Sequence, residues 1–136
     1  MNINQNPDRV VNELGYLVVR VSTALGAIPL ENATVNIRGN TPETSGILYS
    51  LLSDRDGLTE KIALPTPPLS YSDAPGGDTP YSNWNIDVAM EGYIPVSYQN
   101  VSVYSSIVSV QPAMLVPMSE RFRKTEIYNE SNSPLL

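Results

Sequence analysis

The sequence predicts an all-β fold, a seven- to eight-stranded Greek-key β-sandwich, on three observations. Short apolar runs alternate with a period of two, which sends successive side chains to opposite faces of a strand. Turn-forming residues separate these runs at the spacing of a sandwich rather than of alternating strands and helices. The 12 prolines, 8 glycines and 8 tyrosines, against one Phe and one Trp, suit strands and turns better than helices. At 136 residues, with 41% apolar and 16% charged side chains, the chain has the size and composition of one folded domain rather than of a disordered segment.

Asn6 suits a helix N-cap, Pro7 the first helical position and Gly15 a stop, so residues 6–14 read either as a two-turn helix or as an extended arm. From Tyr16 the period is two: Leu17, Val19 and Val21 share one face, Tyr16, Val18, Arg20 and Ser22 the other. After a turn at 26–29, residues 33–38 form a second strand with Val35 and Ile37 inward and Asn36 and Arg38 outward. A polar loop over 39–46 leads to a strand at 47–52. Asp54, Arg55, Asp56 and Gly57 then form a turn into 58–64, a pair expected as a hairpin. Residues 65–83, rich in proline, read as a long surface loop, where function often sits.

Trp84, Ile86, Val88 and Met90 alternate with Asn85, Asp87 and Ala89, which places Trp84 in the core rather than on a ligand. Beyond the turn at Glu91, Gly92 and Tyr93, strands are expected at 94–98 and 101–104. A last apolar run over 107–118 contains Pro112 and Pro117, which marks an edge position or a bulge. The domain boundaries are an N-terminal arm over 1–14, a sandwich over 15–118 and a C-terminal arm over 119–136.

Without histidine or cysteine, the Ser/His/Asp, Cys/His and His-ligated zinc arrangements are excluded, and no disulfide holds the fold. Asp54, Asp56 and Glu60 lack the spacing of a calcium loop, and a turn explains them. The acids Asp73, Asp78, Asp87 and Glu91 show no pairing of the kind that glycoside hydrolysis needs. No catalytic residue, metal or cofactor is expected, and the chain is read as a non-enzyme. A net charge of −6 disfavours binding to nucleic acid or anionic membrane. No segment has the roughly 20 apolar residues of a membrane span, and residues 1–12 lack the apolar stretch of a secretory signal. The tripeptides at Asn32, Asn100 and Asn129 match the glycosylation acceptor pattern, which is discounted on that ground.

The residues Gly15 to Val21 in order, Ala27 to Val35, Asp54 to Gly57, Leu64 with Pro65, and Glu91, Gly92, Tyr93 resemble the carboxypeptidase regulatory-like, or transthyretin-like, β-sandwich and the related collagen-adhesin B-type repeats. The order holds over about residues 15–118. A closer likeness is to the N-terminal domain of clostridial spore cortex-lytic enzymes and their stand-alone relatives. It rests on Pro80 to Ile86, Glu91 to Tyr93, Val108 to Pro112, and Pro117. The hydrolase half of those enzymes is absent here, so the resemblance implies a module and not the lytic activity. Adhesin repeats carry an internal Lys to Asn or Asp bond. Here the first strand has Arg20, and the lysines are Lys61 and Lys124, so no such cross-link is expected.

Arg121, Arg123 and Lys124 place three of the 8 basic residues within four positions, interleaved with Phe122 and followed by Ile127 and Tyr128. Residues 14–118 hold four basic and nine acidic side chains, so the arm suits docking on a neighbouring copy. Tyr71 and Tyr81, in the long loop, are the candidates for an exposed contact. The function expected is a structural or decoration module that assembles into a larger particle, a phage or phage-tail-like virion or a spore layer. Its partners are other copies of itself or a particle scaffold, and it is made in the cytoplasm without a signal peptide. The alternative is a cell-wall glycan-binding accessory module with peptidoglycan as partner.

Overall fold

The computed structural model describes residues 13–68 and 80–118. Eight strands form two four-stranded sheets: β1 (Glu13–Thr23), β2 (Ile28–Pro29), β3 (Thr34–Gly39), β4 (Leu48–Leu52), β5 (Ile62–Thr66), β6 (Tyr81–Ala89), β7 (Val96–Tyr104) and β8 (Val108–Met114). The all-β sandwich expected from the alternation is the fold observed.

Sheet A is organised around β1. On one side β1 pairs antiparallel with β5, from Glu13 opposite Thr66 to Leu17 opposite Ile62, and with β2 at Ser22 and Thr23. Between them residues 57–59 close the ladder: Val21 N–H donates to Gly57 O (2.7 Å) and Thr59 N–H to Val19 O (3.0 Å). On the other side β8 runs parallel, from Tyr16 opposite Val108 to Ser22 opposite Met114. Sheet B is antiparallel in the order β4, β3, β6, β7.

Inward alternation fills the space between the sheets. Leu17, Val19 and Val21 of β1 face Val35 and Ile37 of β3 and Trp84, Ile86 and Val88 of β6, all 0–1% exposed. Trp84 Nε1–H donates to Ser82 Oγ (2.7 Å), which satisfies the indole on burial. Proline at 112 is accommodated because β8 lies at the sheet edge, as the sequence indicates.

The expected hairpin between 47–52 and 58–64 does not form. Among the described residues β4 pairs only with β3, and β5 only with β1, so the Asp54 turn carries the chain from sheet B to sheet A. The reason lies in local anchors. Ser53 Oγ donates to Leu30 O (2.7 Å) and accepts from Ala33 N–H (2.9 Å), tying the end of β4 to the approach to β3. Gly57 then delivers the chain to β1. Leu58 makes a single bridge to Arg20, and the ladder of β5 begins at Ile62.

The two strands expected at 94–98 and 101–104 are one continuous strand, β7, interrupted by a bulge. Ile86 pairs with Tyr98 while Trp84 pairs with Val101, leaving one extra residue on β7, and Asn100 takes φ 57° there. The long loop is shorter than 65–83, because Pro65 and Thr66 extend β5 and β6 starts at Tyr81. Pro65 is tolerated since, among the described residues, β5 pairs on one side only. Residues 6–12 of the possible N-terminal helix lie outside the described residues, while Glu13 and Leu14 already belong to β1.

Candidate functional site

The two outer faces of the sandwich differ in chemistry. Residues paired across neighbouring strands share a face, so the β1 and β8 register fixes which side chains point away from the core. Ser109, Gln111 and Ala113 lie opposite the buried Leu17, Val19 and Val21 and turn inward. Val108, Val110, Pro112 and Met114 turn outward, Val108, Val110 and Met114 being 50, 51 and 48% exposed. The outward residues of β1 are Leu14, Tyr16, Val18, Arg20 and the covered Ser22, and the register with β5 adds Ala63 and Pro65. The outer face of sheet A is therefore largely apolar, the exceptions being Arg20, Ser22 and the rim residue Lys61, whose Nζ lies 5.0 Å from the centre of the Tyr16 ring. A sheet with one face to solvent ordinarily alternates apolar inside with polar outside, and contiguous apolar surface of this kind marks an interface.

Sheet B is mostly polar on its outer face, apart from Leu48 and Leu52 on the edge strand β4, which are 60 and 61% exposed. Arg38 pairs with Asp87 (3.0 Å), and Asp87 also accepts from Ser97 Oγ (2.5 Å). Asn40 bridges Asn85 (3.2 Å) and Asn100 (2.7 Å), and Ser50 donates to Asn36 Oδ1 (2.7 Å). The polar side chains of this outer face thus satisfy one another.

At one end of the sandwich a groove of about 420 Å³ opens between the β3–β4 loop and the facing ends of β5 and β6. One wall is a self-bonded turn: Thr44 N–H donates to Thr41 O (3.0 Å), and the Thr41 and Thr44 hydroxyls lie 2.8 Å apart. The other wall is Pro65, Pro67 and Pro68 with Tyr81, Ser82 and Asn83. Tyr81 is 45% exposed, and its ring meets that of Tyr104 at 5.7 Å and 48°. Thr66 lines the groove at 2% exposure, and its Oγ1 is buried without a hydrogen-bond partner among the described residues. The acidic Glu43 is the one charged group on the described lining.

Of the candidate residues, Tyr81 lies at this groove. Tyr71, Arg121, Phe122, Arg123, Lys124, Ile127 and Tyr128 lie outside the described residues. Asp54, Asp56 and Glu60 form no cluster: Asp54 Oδ1 accepts from the Asp56 and Leu58 amides (2.8 and 2.9 Å), an Asx turn that occupies the carboxylate. Among the described residues no three His, Cys, Asp or Glu side chains gather as a metal site would require, and no helix is long and apolar enough to cross a membrane. The apolar outer face of sheet A escaped sequence reasoning because apolar residues are assumed to point inward. Its signal was present in Val108, Val110, Pro112 and Met114 alternating with Ser109 and Gln111, but only the pairing with β1 tells which set is inside.

No family model and no curated protein matches the chain. Solved structures do. Chlorocatechol 1,2-dioxygenase from Pseudomonas putida is similar with a TM-score of 0.54 at 15% identity, over 79% of this chain and 62% of that one. 3-Chlorocatechol 1,2-dioxygenase from Rhodococcus opacus 1CP is similar with a TM-score of 0.56 at 12% identity, over 82% and 62%. The chain thus spans 62% of the length of each. At these identities the likeness shows a shared β-sandwich fold alone.

Proposed function

We propose that this chain is a non-enzymatic structural or decoration module that assembles with further copies of itself into a larger particle. The apolar outer face of sheet A carries the proposal. Water against Val108, Val110 and Met114 is unfavourable by about 25 cal/mol for each Å² of apolar surface, and a second copy removes it. The occupant is a copy of this chain because the exposed apolar character continues through Val116 and Met118 to the start of residues 119–136. That segment supplies Phe122, Ile127 and Tyr128 for such a face, and Arg121, Arg123 and Lys124 for the acidic body of a neighbour. The particles that suit this reading are a phage or phage-tail-like virion or a spore layer. The finer kinship with carboxypeptidase regulatory-like sandwiches belongs to the same proposal, supported by the motif order over residues 15–118. The lack of histidine and cysteine in the sequence supports the non-enzymatic role.

Size-exclusion chromatography with light scattering tests assembly. The full chain is expected to run as an oligomer, while Val110→Glu and a chain lacking residues 119–136 shift towards monomer with unchanged circular dichroism. A full chain that is monomeric at high micromolar concentration, indistinguishable from both variants, overturns the reading.

A second reading, a glycan-binding accessory module for the cell wall, is favoured by one observation, the groove that holds Tyr81. Retention of the chain on purified peptidoglycan tests it.

A further inference from the structure

We infer that the groove at the end of the sandwich is a binding site for a neutral oligosaccharide, with Tyr81 as the stacking platform and Thr66, Ser82 and Asn83 as the polar contacts. This deepens the second reading and is independent of assembly through sheet A.

The volume of about 420 Å³ falls within the range of small-ligand sites and matches two to three sugar rings better than a folded partner. Sugars present an apolar C–H face and a rim of hydroxyls, so their sites combine an aromatic ring with short neutral donors and acceptors. Tyr81 supplies the ring. Tyr104 packs against it at 5.7 Å and restricts its motion, which lowers the entropy lost on binding. The prolines at 65, 67 and 68 supply rigid apolar wall.

The polar groups retain unused capacity. Ser82 Oγ accepts from the Trp84 indole and keeps its own proton to donate. Asn83 Oδ1 accepts from Ser102 Oγ (3.2 Å), which leaves both protons of its amide nitrogen. The Thr66 hydroxyl stands apart. A buried hydroxyl is ordinarily hydrogen-bonded, and one left unpaired is unfavourable. Thr66 Oγ1 is itself buried, so a ligand hydroxyl reaches it only once the side chain turns about χ1 towards the groove, and the bond then formed gives Oγ1 the partner it lacks.

The described lining holds no cation and one carboxylate, Glu43, which favours a neutral ligand over phosphates and other anions. Glu43 suits the paired donors of vicinal hydroxyls. The Thr41 to Thr44 turn holds that wall in place. Gly39 sits so close to it that a Cβ there would lie 2.0 Å from Thr44 O, so the wall is seated directly against β3.

The test is titration of the isotope-labelled full chain with N-acetylchitotetraose, cellotetraose and maltotetraose, followed by amide chemical shifts, with a proline-rich decapeptide as control. At least one sugar is expected to give saturable shifts centred on Thr66, Tyr81, Ser82 and Asn83. Tyr81→Ala and Thr66→Val are each expected to weaken that binding about tenfold or more, the worth of one stacking or buried hydrogen-bonding contact. Thr66→Val retains shape, so a purely packing role for Thr66 leaves affinity unchanged. The site is overturned if no sugar gives saturable shifts, if only the peptide does, or if both variants bind as the parent does. Peptidoglycan retention unaffected by both variants overturns the groove while sparing the second reading. Sugar binding lost in both variants, with no retention on peptidoglycan, supports the groove and overturns the cell-wall assignment.

Discussion

Gly57 shows how much a single residue settles in this fold. Its φ of +80° lies in the left-handed region, and a Cβ there would come within 2.4 Å of Val21 O, the carbonyl that Leu30 N–H uses. Only glycine allows the chain to enter sheet A at this point and still close the Val21 to Gly57 hydrogen bond. Gly57→Ala is expected to lower stability by about 3 kcal/mol, combining backbone strain with displacement of β1, and a urea midpoint read from the fluorescence of the sole tryptophan measures it. Two asparagines that match the glycosylation pattern have a conformational task instead, since Asn32 and Asn100 take φ of 67° and 57°. That task was not legible in the sequence, where Asn-x-Ser/Thr and a left-handed turn use the same residue. Trp84 was legible, because its alternation with Ile86 and Val88 left one consistent face, and that face is buried.

At the scale of the strand, β7 and β8 show two different ways in which pattern reading stops short. In β7 the polar pair Gln99 and Asn100 looks like a break between strands, whereas it is a bulge inside one. The extra residue is absorbed at Asn100, whose N–H is held by Asn85 Oδ1 (3.2 Å) and whose side chain accepts from Asn40. Asn100→Val is expected to destabilise by about 2 kcal/mol, since a β-branched residue resists positive φ. Asn100→Gly relieves that strain and differs from the parent by less, as thermal denaturation of the pair would show. In β8 the alternation is plain but its phase is not. Polar Ser109 and Gln111 take the inner side because Val108 and Val110 are registered with Tyr16 and Val18. A strand's phase belongs to its partner as much as to itself, and that partner, β1, lies some ninety residues earlier in the chain.

For the molecule as a whole, one continuous core joins both sheets, from Leu17, Val19 and Val21 to Val35, Ile37, Ile86 and Val88 around Trp84. With no cysteine, cohesion rests on packing and on the hydrogen bonds between strands. Trp84→Ala is expected to remove about 4 kcal/mol, a large part of the stability of a domain this size, and to leave a partly unfolded protein detectable by amide exchange across both sheets. The sequence by itself determined the fold class, the inward faces of β1, β3 and β6, the turns at 54–57 and 91–93, and the absence of histidine and cysteine chemistry. These are local properties, set by side-chain period and residue type. The tertiary structure decided which sheet β4 and β5 join, the outward phase of β8 that makes sheet A's surface apolar, and the meeting of Thr66, Tyr81 and the Thr41 turn in one groove. Each depends on residues far apart in sequence being brought into register, and a period of two fixes alternation along a strand without fixing which partner it meets.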